Sequence, residues 1–343
     1  MTNAEQDASG AAVARTGRAA AAEVTAPVDA ATRAAAALAA SSGGPPFLAR
    51  LAGSAALEVS GPDAAPFLHG QLANDVSGLR PGETNRSLLL NHKGHALAEA
   101  QVFRLEERRL LLVVDDGLLD RVAETLERHV VFDEVELRRV PAAAVTLQGS
   151  GAAATLWTAL GGAAAPADGA FAALRHGGDQ VLAYPTRRSE AGGFDLVALG
   201  APDAGALAAA LAGAGAVDAG DAGLDAARVA AGVASAGREG GEGVLPQEAG
   251  LDRFVSFRKG CYLGQEIMAR IAARGAVRRG LRRLELSAEP RGRDVEAGGR
   301  VVGRLGTVAR FPDGGLRALA VLRAEVEEGA AVSVGGVPGR VAP

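Results

Sequence analysis

An α+β fold, with two mixed modules followed by a small C-terminal β-barrel, is what the 343-residue sequence predicts. Three observations carry that prediction. Strand-like and helix-like periods alternate up to about residue 250, a cluster of rare residues then interrupts them, and beyond residue 279 only short strand patterns and glycine turns remain.

The first 44 residues are alanine-rich and end in "SSGGPP". They mix Arg15, Arg18 and Arg33 with Glu5, Asp7, Glu23 and Asp29. Neither a basic transit peptide nor a secretory signal with a continuous apolar centre has that pattern. The expectation for residues 1–44 is a disordered or loosely helical tail. The first module, residues 45–140, has a short strand near Leu57 to Val59 and then "GPDAAPFLHGQLANDV". Pro62 and Asp63 suit a helix start there, and Phe67, Leu68 and Leu72 share one helical face. "SLLLN" and "ALAEAQVFRL" predict strands joined by the turn "HKGH", and "RRLLLVVDD" a third strand. Leu118, Val122, Leu126 and Val130 recur every four residues, the period of an amphipathic helix. "DEVELRRV" closes the module near Val140.

The second module, residues 141–250, starts with "AVTLQGSGAAATLWTALGG", a strand turning through Gly149 into a helix. "DQVLAYP" and "GFDLVALG" predict a hairpin, and "APDAGALAAALAGAG" another helix. That βαββα order is the ferredoxin-like arrangement. Residues 251–278 hold the rare-residue segment and a helix. In residues 279–343, "RRLEL", "GRVVGRLGTVARF", "LRALAVLRAEV" and "AAVSVGGVPGRV" are short, closely spaced strands, as a small barrel requires.

Lysine and arginine number 36 against 40 acidic residues, a formal charge of −4, so nothing global draws the chain to nucleic acid or an anionic membrane. No apolar run is long enough to span a bilayer. A single cysteine excludes an internal disulfide and a cysteine-rich zinc site, which suits a reducing cytoplasm.

The segment "RKGCYLGQEIMARI", residues 258–271, concentrates what the rest of the chain avoids. It holds one of two lysines, Lys259, the only cysteine, Cys261, one of two tyrosines, Tyr262, and both isoleucines, Ile267 and Ile271. Leu263, Ile267 and Ile271 are spaced for one face of a helix beginning near Gly264, with Glu266 and Arg270 set for an ion pair. Cys261 then precedes the helix N-terminus beside Arg258 and Lys259, a setting that favours a thiolate. Gly260 and Gly264 permit close approach of another group. A buried structural cysteine is the bland alternative. The charged neighbours and flanking glycines favour a reactive or ligand-contacting thiol.

The other lysine, Lys93, lies in "NHKGHA" with Asn91, His92 and His95, and His69, Asn74 and Asn85 are nearby in sequence. A compact ammonium in a tight turn is not replaceable by the wide guanidinium fork. His92 and His95 lack a third ligand, so no metal is assigned. No phosphate-cradling loop and no nucleophile elbow occurs, and "REGGEG" lacks the strand–helix setting of a dinucleotide site. Scarce aromatics argue against a nucleic-acid groove.

"KGCYLGQE", residues 259–266, resembles the signature of the YgfZ family, folate-binding proteins related to the T-protein (aminomethyltransferase) of the glycine cleavage system. "FLHGQLANDV", "LLLNHKGHALA" and "VGRLGTVARFPDGGLRALAVLR" resemble further segments of that family, so the likeness covers about residues 50 to 325. It implies two α+β modules and a barrel around a central tetrahydrofolate site, and a role in iron–sulfur cluster assembly or repair, with client or assembly proteins as partners. By position it carries over Lys259, Gly260, Cys261, Tyr262, Gly264, Gln265 and Glu266. Asn74, Asp75 and Lys93 follow from the earlier segments, and Arg228 from "AARVAAGVASAG". Cys261 is the expected reactive group, with Lys259 tuning it. The aminomethyltransferases place an acidic pair after the hairpin glycine. Leu97 and Ala98 stand there in this chain, so the usual catalytic assistance is not expected. Whether the protein is an enzyme stays open: a folate-dependent one-carbon transferase of altered mechanism and a non-catalytic folate-binding scaffold are the alternatives.

Overall fold

The computed structural model describes residues 29–343 apart from residues 116, 163, 201, 202 and 276. In chain order the elements are α1 (Ala30–Ala39), β1 (Phe47–Leu51), β2 (Ala55–Ser60), α2 (Ala64–Gln71), β3 (Thr84–Leu90), β4 (Ala96–Glu106), β5 (Arg109–Val114), α3 (Leu119–Glu127) and β6 (Glu136–Val140). The second unit follows with β7 (Ala142–Gln148), α4 (Ala152–Leu160), β8 (Ala172–His176), β9 (Asp179–Thr186), β10 (Gly193–Leu199), α5 (Gly205–Gly213) and β11 (Val217–Asp218). Then come α6 (Gly220–Ala231), α7 (Gln265–Arg274) and the strands β12 (Arg279–Leu286), β13 (Asp294–Ala297), β14 (Arg300–Arg310), β15 (Leu316–Arg323), β16 (Ala331–Val334) and β17 (Val337–Ala342).

These strands form two open sheets and a closed barrel, in the orders β3-β4-β5-β2-β6, β11-β1-β7-β10-β9-β8 and β12-β15-β14-β13-β16-β17. The expected α+β class with a C-terminal barrel is therefore what the chain adopts. Each sheet alternates between two buried faces. In the first, Leu57, Val59, Ala98, Ala100, Val102, Leu110 and Leu112 pack under α2 and α3, where Val122 and Leu126 meet them. In the second, Val145, Leu147, Val181, Ala183 and Leu196 pack under α4 and α5. The opposite faces meet each other through Ala56, Phe103, Leu111, Val113, Leu182, Tyr184 and Val197, with the Phe103 and Tyr184 rings edge to face, centroids 5.0 Å apart. The period-2 pattern makes both faces apolar where both are covered.

The structure corrects three expectations. Residues 30–39 are not a tail but helix α1, capped by Asp29, whose carboxylate accepts the Thr32 N–H at 2.9 Å. Ala34, Ala37 and Ala40 are fully buried against Ala219, Ala226, Ala227 and Val229, a seam of small side chains that lets α1 and α6 approach closely. The rest of that expectation, residues 1–28, lies outside the described residues. Second, the boundary at residue 45 is misplaced. β1 pairs antiparallel with β7 and parallel with β11, so it belongs to the second sheet and not the first. Third, α6, β8, β11 and β13 were not foreseen. The first of these is mostly Ala, Gly and Asp, and its helical face is made of methyl groups.

Candidate functional site

Lys259 is fixed by the C-terminus of α2. Its ammonium donates to the carbonyl oxygens of His69, of Leu72 at 2.6 Å and of Asn74 at 3.2 Å. The His69 carbonyl is among those a helix leaves without partners, at the negative end of its dipole, and the Leu72 and Asn74 carbonyls follow in the bend just beyond it. An ammonium has three donors on a compact head and matches three converging carbonyls, where a planar guanidinium would not. The Tyr262 ring lies 4.9 Å from the same ammonium. Burial, partly opposed by the Asp75 carboxylate, lowers the Lys259 pKa to about 8. The His69 pKa shifts in the same direction: burial and then the Lys259 charge lower it, partly opposed by the Asp75 carboxylate, and its Nδ1 accepts the Ser77 N–H at 3.2 Å.

The hairpin turn "NHKGH" is docked against the start of α7. Asn91 Oδ1 accepts the N–H groups of Lys93 at 2.9 Å and His95 at 3.0 Å, closing the turn. Gly264, in the left-handed region at φ +84°, caps α7, and a Cβ there would stand 2.7 Å from the Asn91 carbonyl oxygen and 3.2 Å from the Gly94 Cα. Gly94, at φ +75°, would in turn drive a Cβ to 2.8 Å from Met268 Cε. The two motifs that sequence singled out separately are thus interlocked, glycine against glycine. Met268, Tyr262, Ile267 and Ile271 then pack with Leu88, Leu90 and Ala96 beneath them. His95 Nδ1 accepts the Gly243 N–H at 3.0 Å, which ties the "REGGEG" loop to the same turn.

What remains outward is chemistry. Cys261 is exposed, as are Lys93, Gly260 and Glu266, and Gln265 is half-buried at the first position of α7. The expected Glu266–Arg270 pair is not among the ion pairs of the described residues. Lys259 is committed to carbonyls and not to the thiol, so its role is to position the segment; the tuning role foreseen for it has no contact behind it. Asn74 braces the bend after α2, donating to the Arg86 carbonyl at 2.8 Å, and Asp75 accepts the Gly78 N–H at 2.9 Å. Arg228 is elsewhere. It is buried at the junction of α6 and β14, held by Glu239 at 2.9 Å, with Thr307 at 3.4 Å and Asp225 at 3.7 Å.

A second cluster was missed from sequence. On the faces where the two sheets meet, the apolar contact gives way to Arg86, Glu99, Asp115, Tyr184, Arg188 and Asp195. Arg188 Nε lies 2.9 Å and 3.1 Å from the two Asp195 oxygens, and its Nη2 bonds Asp195 at 2.7 Å and Asp115 at 2.5 Å. Arg86 stands 3.5 Å from Asp195 and 3.9 Å from Glu99. Glu99 also accepts the Ala236 N–H at 3.3 Å, and Arg86 and Arg253 flank the Phe254 ring. One signal could have found them. "ALAEAQVF" and "GFDLVAL" each place one acid inside an apolar strand, where alternation sends Ala98 into the helix-backed core and Glu99 to the other face.

A pH prediction follows from Lys259. Its folded pKa of about 8 lies below its ordinary 10.5, so the unfolded chain holds more protons between those values. The contribution is fully present above 10.5 and lost as pH falls through 8. Lys259→Met is expected to flatten the rise in stability across that window in urea titrations. An unchanged slope would show that the ammonium is not buried.

The model of the GCVT N-terminal domain matches residues 51–259. The aminomethyltransferase of Streptomyces coelicolor is 30% identical over 277 residues, 75% of this chain and 72% of that protein. That of Bordetella avium is 29% identical over 293 residues, 81% of this chain and 77% of its own length. The crystal structure of glycine cleavage system aminomethyltransferase T from Bartonella henselae has a TM-score of 0.74 at 20% identity, covering 92% of this chain and 89% of that one. At that identity the likeness is one of fold. No helix among the described residues is long and apolar enough to cross a membrane.

Proposed function

This chain belongs to the GCVT N-terminal domain family, and from that premise we propose that it is a tetrahydrofolate-binding protein of the YgfZ type that supports iron–sulfur proteins through Cys261. The observation that carries the proposal is the docked signature. Lys259, Gly264 and Tyr262 fix residues 259–264 to the first module, and the one side chain of chemical reactivity among them, Cys261, is left at the surface. A structural cysteine is expected to be buried. Aminomethyl transfer of the usual kind is disfavoured because Ala98 points into the helix-backed core and Leu97 carries no acid.

The polar cluster between the sheets fits the proposed ligand by its donors and acceptors. A pterin edge offers N–H donors that a carboxylate such as Glu99 accepts, and arginines suit the glutamate carboxylates. Bound tetrahydrofolate would supply a one-carbon carrier; Cys261 supplies the nucleophile and Lys259 holds it in place. A second reading draws on Glu99, a buried carboxylate 3.9 Å from Arg86, as the acid of an altered one-carbon transfer. It requires turnover of an amine with formation of methylene-tetrahydrofolate.

The test is calorimetric titration of tetrahydrofolate into wild type and Cys261→Ala, with alkylation of Cys261 followed in parallel. Binding by both, ligand-dependent alkylation, and loss of iron–sulfur enzyme activity in cells carrying only Cys261→Ala are the expected results. No binding by either protein would remove folate from the proposal. Full iron–sulfur activity in the variant would remove the thiol.

A further inference from the structure

Among the described residues the two open sheets end in the edge strands β3, β6, β8 and β11. An edge leaves one row of backbone N–H and C=O groups outside the ladder, where another strand can pair with them. β3 is already covered. The bend after α2 runs along it, with Leu72 bridged to Leu89, the Ala73 N–H on the Leu88 carbonyl at 2.8 Å and the Asn74 N–H on Ser87 Oγ at 2.8 Å. β11 has two residues, and β8 carries Arg175 and His176 but no acid. β6 pairs with β2 on one side, and no backbone hydrogen bond among the described residues closes its other side.

The charges of β6 are arranged about a centre. Alternation puts Leu137 on the helix-backed face, packed against the first sheet's core, and Glu136 and Arg138 on the opposite face, both exposed. Two copies of the strand laid antiparallel about a two-fold axis at Leu137 set each Glu136 across from the other copy's Arg138, twice over. Neighbouring registers fail. A centre on Glu136 or Arg138 sets a charge against itself, and a centre between two residues turns one copy's apolar face to solvent. A guanidinium has five N–H donors, so the Arg138 bond to Glu58 at 2.8 Å leaves others for a second carboxylate. Just before β6 the chain exposes two adjoining apolar side chains, Val131 at 69% and Phe132 at 95%. The antiparallel register brings the Val140 end of the second copy's strand to that turn. We propose that β6 is the interface of a homodimer, in which the first sheets of two copies run on as one across paired β6 strands. The charge pattern favours a second copy over a foreign strand, because it is complementary to itself. β3 is the other edge of the same sheet, so the Lys259 segments, resting on the bend along β3, stand at the two far ends of the joined sheet.

Sedimentation equilibrium on the full chain should show a monomer–dimer equilibrium with a micromolar dissociation constant, as a contact of modest area gives. Glu136→Arg and Arg138→Glu should each weaken it about tenfold or more, since each sets like charges opposite one another at two places. An equimolar mixture of the two variants should dimerise again, because every pair across the axis is then Arg against Glu. Circular dichroism of each variant alone should match wild type. A wild type that stays monomeric into the millimolar range would overturn the interface. A dimer indifferent to both reversals would overturn it too, placing the contact elsewhere, and a mixture that stays monomeric would overturn the register.

Discussion

Arg188→Ala is expected to lower the free energy of unfolding by about 3–5 kcal/mol, the cost of removing one partner from a buried ion pair. Asp195 is fully buried and receives bonds from both Nε and Nη2 of Arg188, while the same Nη2 bonds Asp115. Without the guanidinium, two carboxylates remain between the sheets with Arg86, at 3.5 Å from Asp195, as the nearest compensating charge. The pH dependence should change with it. Burial pushes the Asp115 carboxyl up, but Arg188 and Arg86 outweigh it and hold it below its ordinary value. A carboxylate depressed in this way contributes stability that is present above its unfolded pKa and lost as pH falls through the folded one. The variant should therefore lose less stability between neutral and acid pH than wild type does. Replacing Arg188, Asp195 and Asp115 together by apolar residues of similar volume should recover part of the loss, because Arg86 then keeps Glu99, at 3.9 Å, as its partner and no buried carboxylate is left without a cation. Urea titrations of the variants decide it, and a loss below about 1 kcal/mol in Arg188→Ala would mean the cluster is solvated.

The contrast between this cluster and the signature shows what a sequence exposes. The signature was legible because its constraints are local. Lys259, Cys261 and Gly264 lie within a few residues, and helix α7 begins where the apolar spacing and Gly264 place it. The hairpin turn at Asn91 and the strands around it were legible for the same reason. The charge cluster draws Arg86, Asp115 and Asp195 from separate strands and loops, and only the topology brings them together. β1 was assigned to the wrong sheet because its partners, Ala144–Gln148 and Val217–Asp218, lie far along the chain. Helix α1 hid for a different reason. Its core contacts are alanine methyls, each worth about 0.8 kcal/mol when buried, and an alanine run looks the same whether it packs or not. Arg228 was carried over from the resemblance as a ligand-binding residue, and the structure places it in the buried junction of α6 and β14, paired with Glu239.

Gly264→Ala tests whether the interlock of the two motifs is what fixes Cys261. The left-handed conformation at φ +84° costs a residue with a Cβ about 1–2 kcal/mol. Overpacking adds about 1–3 kcal/mol, since the new methyl would meet the Asn91 carbonyl oxygen at 2.7 Å. That neighbour is backbone, held in the turn by the Gly94 N–H at 2.8 Å, and it cannot rotate away. Gly94→Ala makes the informative comparison. It meets the same conformational cost at φ +75°, but its methyl encounters the flexible end of Met268, at 2.8 Å, and the Ile267 side chain. Met268 has rotatable bonds with which to yield. The expected order is a larger loss for Gly264→Ala, about 3 kcal/mol, than for Gly94→Ala. Alkylation of Cys261 should also change more in Gly264→Ala, because displacing the turn from α7 moves residues 260–264 while Lys259 stays on its carbonyls. Equal losses with unchanged alkylation would leave the Lys259 anchor alone as the device that holds the thiol, since only that contact would then survive both substitutions.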